Sequence, residues 1–215
     1  MKVIATNIGK PVTILWQQRE EQTGIFKYPI EGSIRLEPTQ VKNDTVSDRK
    51  HHGGLYKACY LFSAEHYTYW RDLYPNLSWD WGMFGENITL DHMSESKLTI
   101  GSIYQLGTAL VKITIPREPC YKLGIRFKDQ KIIEQFVAHG HPGTYVSVLK
   151  EGEVKRGDSF TLLEEANDSL SIETLYRLLF AKEPMPDQLE AAINCEYLPE
   201  RTQKKLLRRQ KKRPV

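Results

Sequence analysis

Residues 98–124 read LTIGSIYQLGTALVKITIPREPCYKLG. Within 109–115, Val111, Ile113 and Ile115 face one way and Lys112 and Thr114 the other, the period-two pattern of a half-buried strand. Leu98–Ile100 and Ile103–Leu106 supply shorter strand-like pieces before it, with Gly101 and Gly107 marking the turns. The predicted strand runs into Pro116, Arg117, Glu118, Pro119 and Cys120. Two prolines restrict the backbone there. A thiol is therefore held at a strand end with Arg117 and Lys122 within three residues of it.

The same texture extends outward. Val3 to Trp16 alternates loosely and breaks at Gly9-Lys10-Pro11, a hairpin or corner. Gly24 to Ile30 is a short piece, and Tyr145–Leu149 and Ser159–Leu163 read as closing strands, with turns at Gly152 and Gly157-Asp158. One helix interrupts them: SAEHYTYWRDLYP, residues 63–75, has Ser63 as N-cap, Glu65 in its first turn and Pro75 beyond its end. Many short strands, glycine turns and few helices predict a mainly β fold, a barrel or sandwich rather than a βαβ sheet.

After residue 165 the pattern becomes helical. Ile172, Leu175 and Leu179 recur at helical spacing behind Ser171. Asp187 reads as the cap of a second helix, with Glu190 three residues on and Leu189, Ala192 and Ile193 as its stripe. Pro199 starts a third, anchored by Leu206 and Leu207. The predicted organisation is a β domain over 1–165 and a three-helix module with a basic tail over 166–215.

The chain has 215 residues and a net charge of +3. Eight Lys or Arg and no acid fall in 201–215, which leaves 22 basic against 27 acidic residues before them, a net of −5. The body is mildly acidic and the tail basic. The three cysteines, Cys59, Cys120 and Cys195, are widely spaced and include no C-x-x-C pair, so they form neither a disulfide framework nor a zinc site of ordinary spacing. No secretory signal or membrane span is visible, and a soluble cytoplasmic protein is expected.

Four clusters carry the chemistry. SDRKHHGGLYKA, residues 47–58, gathers Asp48, Arg49, Lys50, His51, His52 and Lys57 around Gly53-Gly54. Consecutive backbone N–H groups and cations suit an anion. Around Cys120, the cations Arg117, Lys122 and Arg126 favour thiolate over thiol, so the sulfur reads as a nucleophile or a soft-metal ligand. Cys59 and Cys195 read as structural. MFGENITL, residues 83–90, offers Glu86 as a proton donor or cation ligand and Asn87 for a polar ring edge. AHGHPGTY, residues 138–145, offers His139 and His141.

In the order DRKHHGGLYKACYLFSAEHYTYW, FGENIT, EPCYKLG and HPGTYVSVLKEGEVKRGD, these segments resemble the MOSC domain in its stand-alone bacterial YiiM type. The stretch from about 169 resembles the three-helix appendage of that subfamily. The resemblance implies a closed β-barrel carrying a molybdenum cofactor (molybdopterin), with the metal bound by Cys120. It assigns cofactor binding to Asp48, Arg49, Lys50, His51, His52, Gly53, Gly54, Lys57, Asn87, Arg117, Lys122 and His139. It also implies reduction of N-hydroxylated compounds, including hydroxylamino purine analogues, to amines. Electrons would come from a separate reductase, for no flavin, haem or iron–sulfur signature is present. His52, Glu86 and His139 are the candidate proton donors, in that order. The three-helix module or a second subunit in a homodimer would cover the cofactor.

Three other functions fit parts of the sequence. Cys120 as a persulfide could pass sulfur to a metal cofactor. The basic tail could bind nucleic acid, though it lacks interleaved aromatics and the body is acidic. A cysteine hydrolase would need a His beside Cys120, which no sequence feature fixes.

Overall fold

The computed structural model describes residues 1–47 and 53–211. Strand β1 (Val3–Gly9) ends at the predicted break, and β2 (Val12–Trp16) forms a separate hairpin with β3 (Arg19–Thr23). Gln17 and Gln18 form its turn, both in the left-handed region at φ 48° and 63°. That turn normally takes Asn or Gly, so the sequence gives no warning of it. Short strands β4 (Lys27–Pro29), β5 (Ser33–Glu37) and β6 (Gln40–Val41) follow. After a 3-10 turn at Leu55–Lys57 come β7 (Cys59–Ser63), a second 3-10 turn at Ala64–His66 and helix α1 (Tyr67–Leu73). The Ser63 side chain accepts from the Glu65 N–H, as expected of a cap.

β8 (Ile88–Leu90), a 3-10 turn at Glu95–Lys97, β9 (Ile103–Leu106) and β10 (Ala109–Pro116) lead to the cysteine. Two helices the sequence reading missed come next, α2 (Tyr121–Phe127) and α3 (Ile132–His139). Gly124 inside α2 argues locally against helix. Tertiary packing overrides it, because Leu123, Phe127, Ile132 and Phe136 are all buried in the core around Trp70. The β region ends with β11 (Thr144–Lys150), β12 (Gly152–Lys155) and β13 (Phe160–Glu164).

The closed barrel and the mainly β class are not what forms. Eight strands make one mixed sheet in the order β13-β9-β10-β11-β7-β8-β1-β4, beside a three-stranded sheet (β12-β5-β6) and the β2–β3 hairpin. The β7–β8 pair is parallel, with α1 on the crossover between them, while the other pairs of the large sheet are antiparallel. A crossover helix is what a parallel connection requires. Among the described residues the starts of β1 and β13 meet through the Lys2–Ser159 bridge and through hydrogen bonds from the Val3 N–H to Asp158, the Gly157 N–H to Val3 and the Phe160 N–H to Met1, but no strand ladder joins β1 to β13. With α2 and α3 added, helix and strand take nearly equal shares of the chain.

Helices α4 (Ile172–Phe180), α5 (Pro186–Asn194) and α6 (Glu200–Lys211) complete the fold. The Ser171 side chain caps α4 through the Thr174 N–H at 3.1 Å. The α5 cap is Met185 with Pro186 at the first position, two residues before the expected Asp187. Leu206 anchors α6, whereas Leu207 is exposed. Helix α4 packs on β10, and the Gln203 amide donates to the Cys195 carbonyl at 2.9 Å, joining α6 to the end of α5. Among the described residues, no helix is long and apolar enough to cross a membrane.

Candidate functional site

Strand β10 ends at Pro116, paired with Thr144, where a missing N–H costs the ladder least. The chain then crosses to α2, and Cys120 takes the N-cap position, half-buried, with its carbonyl accepting from the Leu123 N–H at 2.9 Å. It lines an open pocket whose empty space, mouth included, is about 590 Å³. Lys57, Asn87, Arg117 and Lys122 line the same pocket. So do Lys27, Asp44, Tyr60 and Tyr145, which the sequence reading did not single out.

The walls are fixed by packing. Arg117 is buried, donates to the Phe84 carbonyl and lies 5.0 Å over the Tyr60 ring. Lys57 lies 5.4 Å over Tyr145, whose ring is 5.1 Å from that of Tyr60. Two cations thus sit on one aromatic wall. Asn87 donates to Asp44 at 2.9 Å and accepts from the Tyr60 N–H at 3.3 Å, and Asp44 pairs with Lys27. The β2–β3 hairpin docks here too: Trp16 stacks on Tyr121 at 4.7 Å, and Tyr121 donates to Glu21. Lys27 is paired with Asp44, and Lys57, Arg117 and Lys122 are the other cations of the pocket lining.

Burial works against the Arg117 charge, but Tyr60, Tyr145, Cys120 and Glu86 outweigh it and hold the guanidinium protonated. The Lys57 ammonium titrates below the ordinary lysine value. Burial is the main cause; Glu118 opposes it, and Arg201, Arg117 and Lys205 add to it. Burial pushes the Cys59 thiol upward, in keeping with a structural role, and Cys195 is buried as well.

Other predicted residues lie elsewhere. Asp48, Arg49, Lys50, His51 and His52 fall outside the described residues. Gly53 and Gly54 do not line the pocket, and the Gly54 N–H donates to the Thr39 carbonyl at 3.3 Å. Glu86 is fully buried and does not line the pocket. Its carboxylate accepts from Tyr67, from the Gly82 and Phe84 N–H groups at 2.8 and 3.1 Å, and from Thr89 at 3.0 Å. It clamps the turn whose Phe84 carbonyl receives Arg117. Burial raises its pKa, and those hydrogen bonds offset part of the rise. Arg126 lies over Phe26 and Tyr28 rather than lining the pocket.

His139 stands in a second cluster. The His66 and His141 rings stack at 4.1 Å, and His139 meets them edge-on at 5.1 and 5.0 Å. His141 Nδ1 is 3.2 Å from the buried Glu95 carboxylate, which raises its pKa. Burial first, then neighbouring imidazoles, lowers His66, and brings His139 down to about 4.

The MOSC domain profile matches residues 48–161. The chain is 31% identical over 176 residues to YflK of Bacillus subtilis, described as uncharacterized, covering 82% of this chain and 79% of that one. It is 31% identical over 188 residues to a Gibberella moniliformis protein named Reductase, covering 84% of this chain and 32% of the longer fungal one. The structure of YiiM from Geobacillus stearothermophilus superposes with a TM-score of 0.79 at 25% identity, over 97% of this chain and 98% of that one.

Proposed function

Because this chain belongs to the MOSC domain family, we propose that its pocket holds a molybdenum cofactor through Cys120 and that the protein reduces N-hydroxylated compounds to amines. The observation that carries the reading is the meeting of a partly exposed thiol with Lys57, Arg117 and Lys122 in one pocket. These residues suit such a group. Sulfur is the ligand type a soft metal takes. Ammonium groups suit a phosphate. The fungal relative's name, Reductase, supports the class of chemistry.

When bound, the cofactor supplies the two-electron chemistry that cleaving an N–O bond requires. Cys120 Sγ would hold the metal, and Lys57 Nζ and Lys122 Nζ would take the phosphate or the substrate's polar edge. Arg117, lying over the Tyr60 ring, keeps the aromatic wall in position. Reducing N–OH to an amine consumes two electrons and two protons and releases water. Lys57 Nζ would give one proton to the leaving oxygen, a role its lowered pKa favours, and solvent would supply the second to the nitrogen. A separate reductase supplies the electrons. Helix α6, which reaches Glu118 through Lys205, or a second copy of the chain would cover the bound cofactor.

The test is reduction of an N-hydroxylated purine by protein made in a host that synthesises the cofactor, with an electron-donating reductase added. Cys120→Ala is expected to lose activity at least 100-fold, and Lys57→Met to lower kcat and abolish the basic limb of the pH profile. Full activity in Cys120→Ala refutes the proposal. A persulfide on Cys120 with no pterin in the preparation, detected by mass spectrometry, would assign the sulfur-carrier role instead.

A further inference from the structure

We propose that His66, Glu95 and His141 form a binding site for a zinc-like divalent transition-metal ion, separate from the Cys120 pocket. Each residue offers one ligand atom, and the three atoms lie within 4.8 Å of one another. They come from three places in the chain: the turn after β7, the 3-10 turn before β9, and the loop between α3 and β11. None of them lines the pocket.

The chemistry is specific. Two imidazoles and one carboxylate are the ligand set that borderline divalent ions prefer. Zn–N bonds near 2.05 Å put tetrahedral ligand atoms about 3.4 Å apart. Reaching that spacing from within 4.8 Å requires the stacked His66 and His141 rings to rotate toward a common point.

Independent observations point the same way. His66 Nε2 and His139 Nε2 are buried and have no hydrogen-bond partner among the described residues. A buried imidazole nitrogen without a partner costs stability unless something fills the place. Glu95 is oriented already: Oε1 accepts from the Gly143 N–H at 3.0 Å while Oε2 faces His141 at 3.2 Å. Such outer contacts hold a ligating carboxylate in position. The His141 side chain is 46% exposed, which leaves an entry path from solvent. A bound ion would pin the Gly140–Gly143 loop, and hence the start of β11, to the end of β7. The fourth position belongs to water or to His139.

The experiment is calorimetric titration of the full chain with Zn²⁺ alone, in a Cys120→Ala background that removes the pocket thiol. One equivalent is expected to bind. His141→Ala, His66→Ala and Glu95→Gln are each expected to weaken binding at least 100-fold. Glu95→Gln keeps an acceptor for Gly143, and His141 is half-exposed, so both variants test binding without removing a core side chain. A loss below about 10-fold in His139→Ala assigns the fourth position to water. No uptake by the Cys120→Ala chain overturns the proposal, and so does unchanged affinity in both His141→Ala and Glu95→Gln. The N-hydroxyl assay is a separate readout, so failure here leaves the Cys120 reading standing.

Discussion

Lys205, in the last helix, donates a hydrogen bond to Glu118, two residues before the pocket cysteine. The basic end of the chain thereby reaches the loop that leads to Cys120. Lys204 pairs with Glu200 one turn back, and Arg209 donates to the Ala181 carbonyl. Lys205 also lies 5.4 Å over the Phe180 ring. These contacts give the basic helix a structural use that nucleic-acid binding does not need.

Both Lys205 and Glu118 are exposed, at 42% and 36%, so their pair is expected to couple by less than about 1 kcal/mol. A double-mutant cycle by urea unfolding, with Lys205→Ala and Glu118→Ala, measures it. Coupling above about 2 kcal/mol would mean that the helix is fastened to the body mainly here.

Arg117 should behave oppositely, because its guanidinium is buried against Tyr60 and donates to Phe84. Arg117→Ala leaves that carbonyl unpaired and opens a void, at an expected cost of about 2–4 kcal/mol. Urea unfolding is again the measurement, and a loss under about 0.5 kcal/mol would contradict the packing described.

Glu86 supplies a pH prediction. Burial raises its folded pKa above the ordinary 4.5, so the folded state holds the proton more tightly than the unfolded chain. Its titration therefore contributes stability that is fully present below pH 4.5 and fades as pH rises through the folded pKa. The stability of the wild type relative to Glu86→Gln should fall over that window. An advantage that grows with pH would reverse the assignment. At every pH, Gln puts an N–H₂ group where Glu86 accepts an N–H, which costs about 1–3 kcal/mol.

Gly24 lines the pocket beside Thr45, and a Cβ there would lie 1.9 Å from the Thr45 carbonyl oxygen. Gly24→Ala should force the two segments apart and destabilise the fold by about 1–3 kcal/mol. A melting temperature equal to wild type would show that the close approach is not rigid.

The strand before Cys120 was legible in part from its alternation: Val111, Ile113 and Ile115 are buried and Lys112 is half-buried, but Thr114, expected on the open face, is buried too, where its hydroxyl donates to the Tyr56 carbonyl at 2.7 Å. Lys57, Asn87, Arg117, Lys122 and Cys120, from separate stretches of the sequence, line one pocket. Other features were hidden for identifiable reasons. Sheet closure depends on long-range pairing that no local window carries. α2 and α3 are too short for a strong helical period, and Gly124 masks the first. Glu86 reads as a site residue because a carboxylate in a glycine turn looks available, yet four donors surround it. Asp44 and Lys27 carried no signal, since their pairing joins residues 17 apart across a loop. The His66–Glu95–His141 cluster draws on segments up to 75 positions apart, so no spacing motif announces it.

The central claim is that Cys120 and its ring of cations hold molybdenum. Protein from a cofactor-producing host should be assayed for molybdenum by elemental analysis and for pterin by fluorescence, as wild type and as Cys120→Ala. The account predicts near-stoichiometric metal and pterin in the wild type and loss of the metal in Cys120→Ala. Equal molybdenum in the two proteins, or none in the wild type, would contradict it.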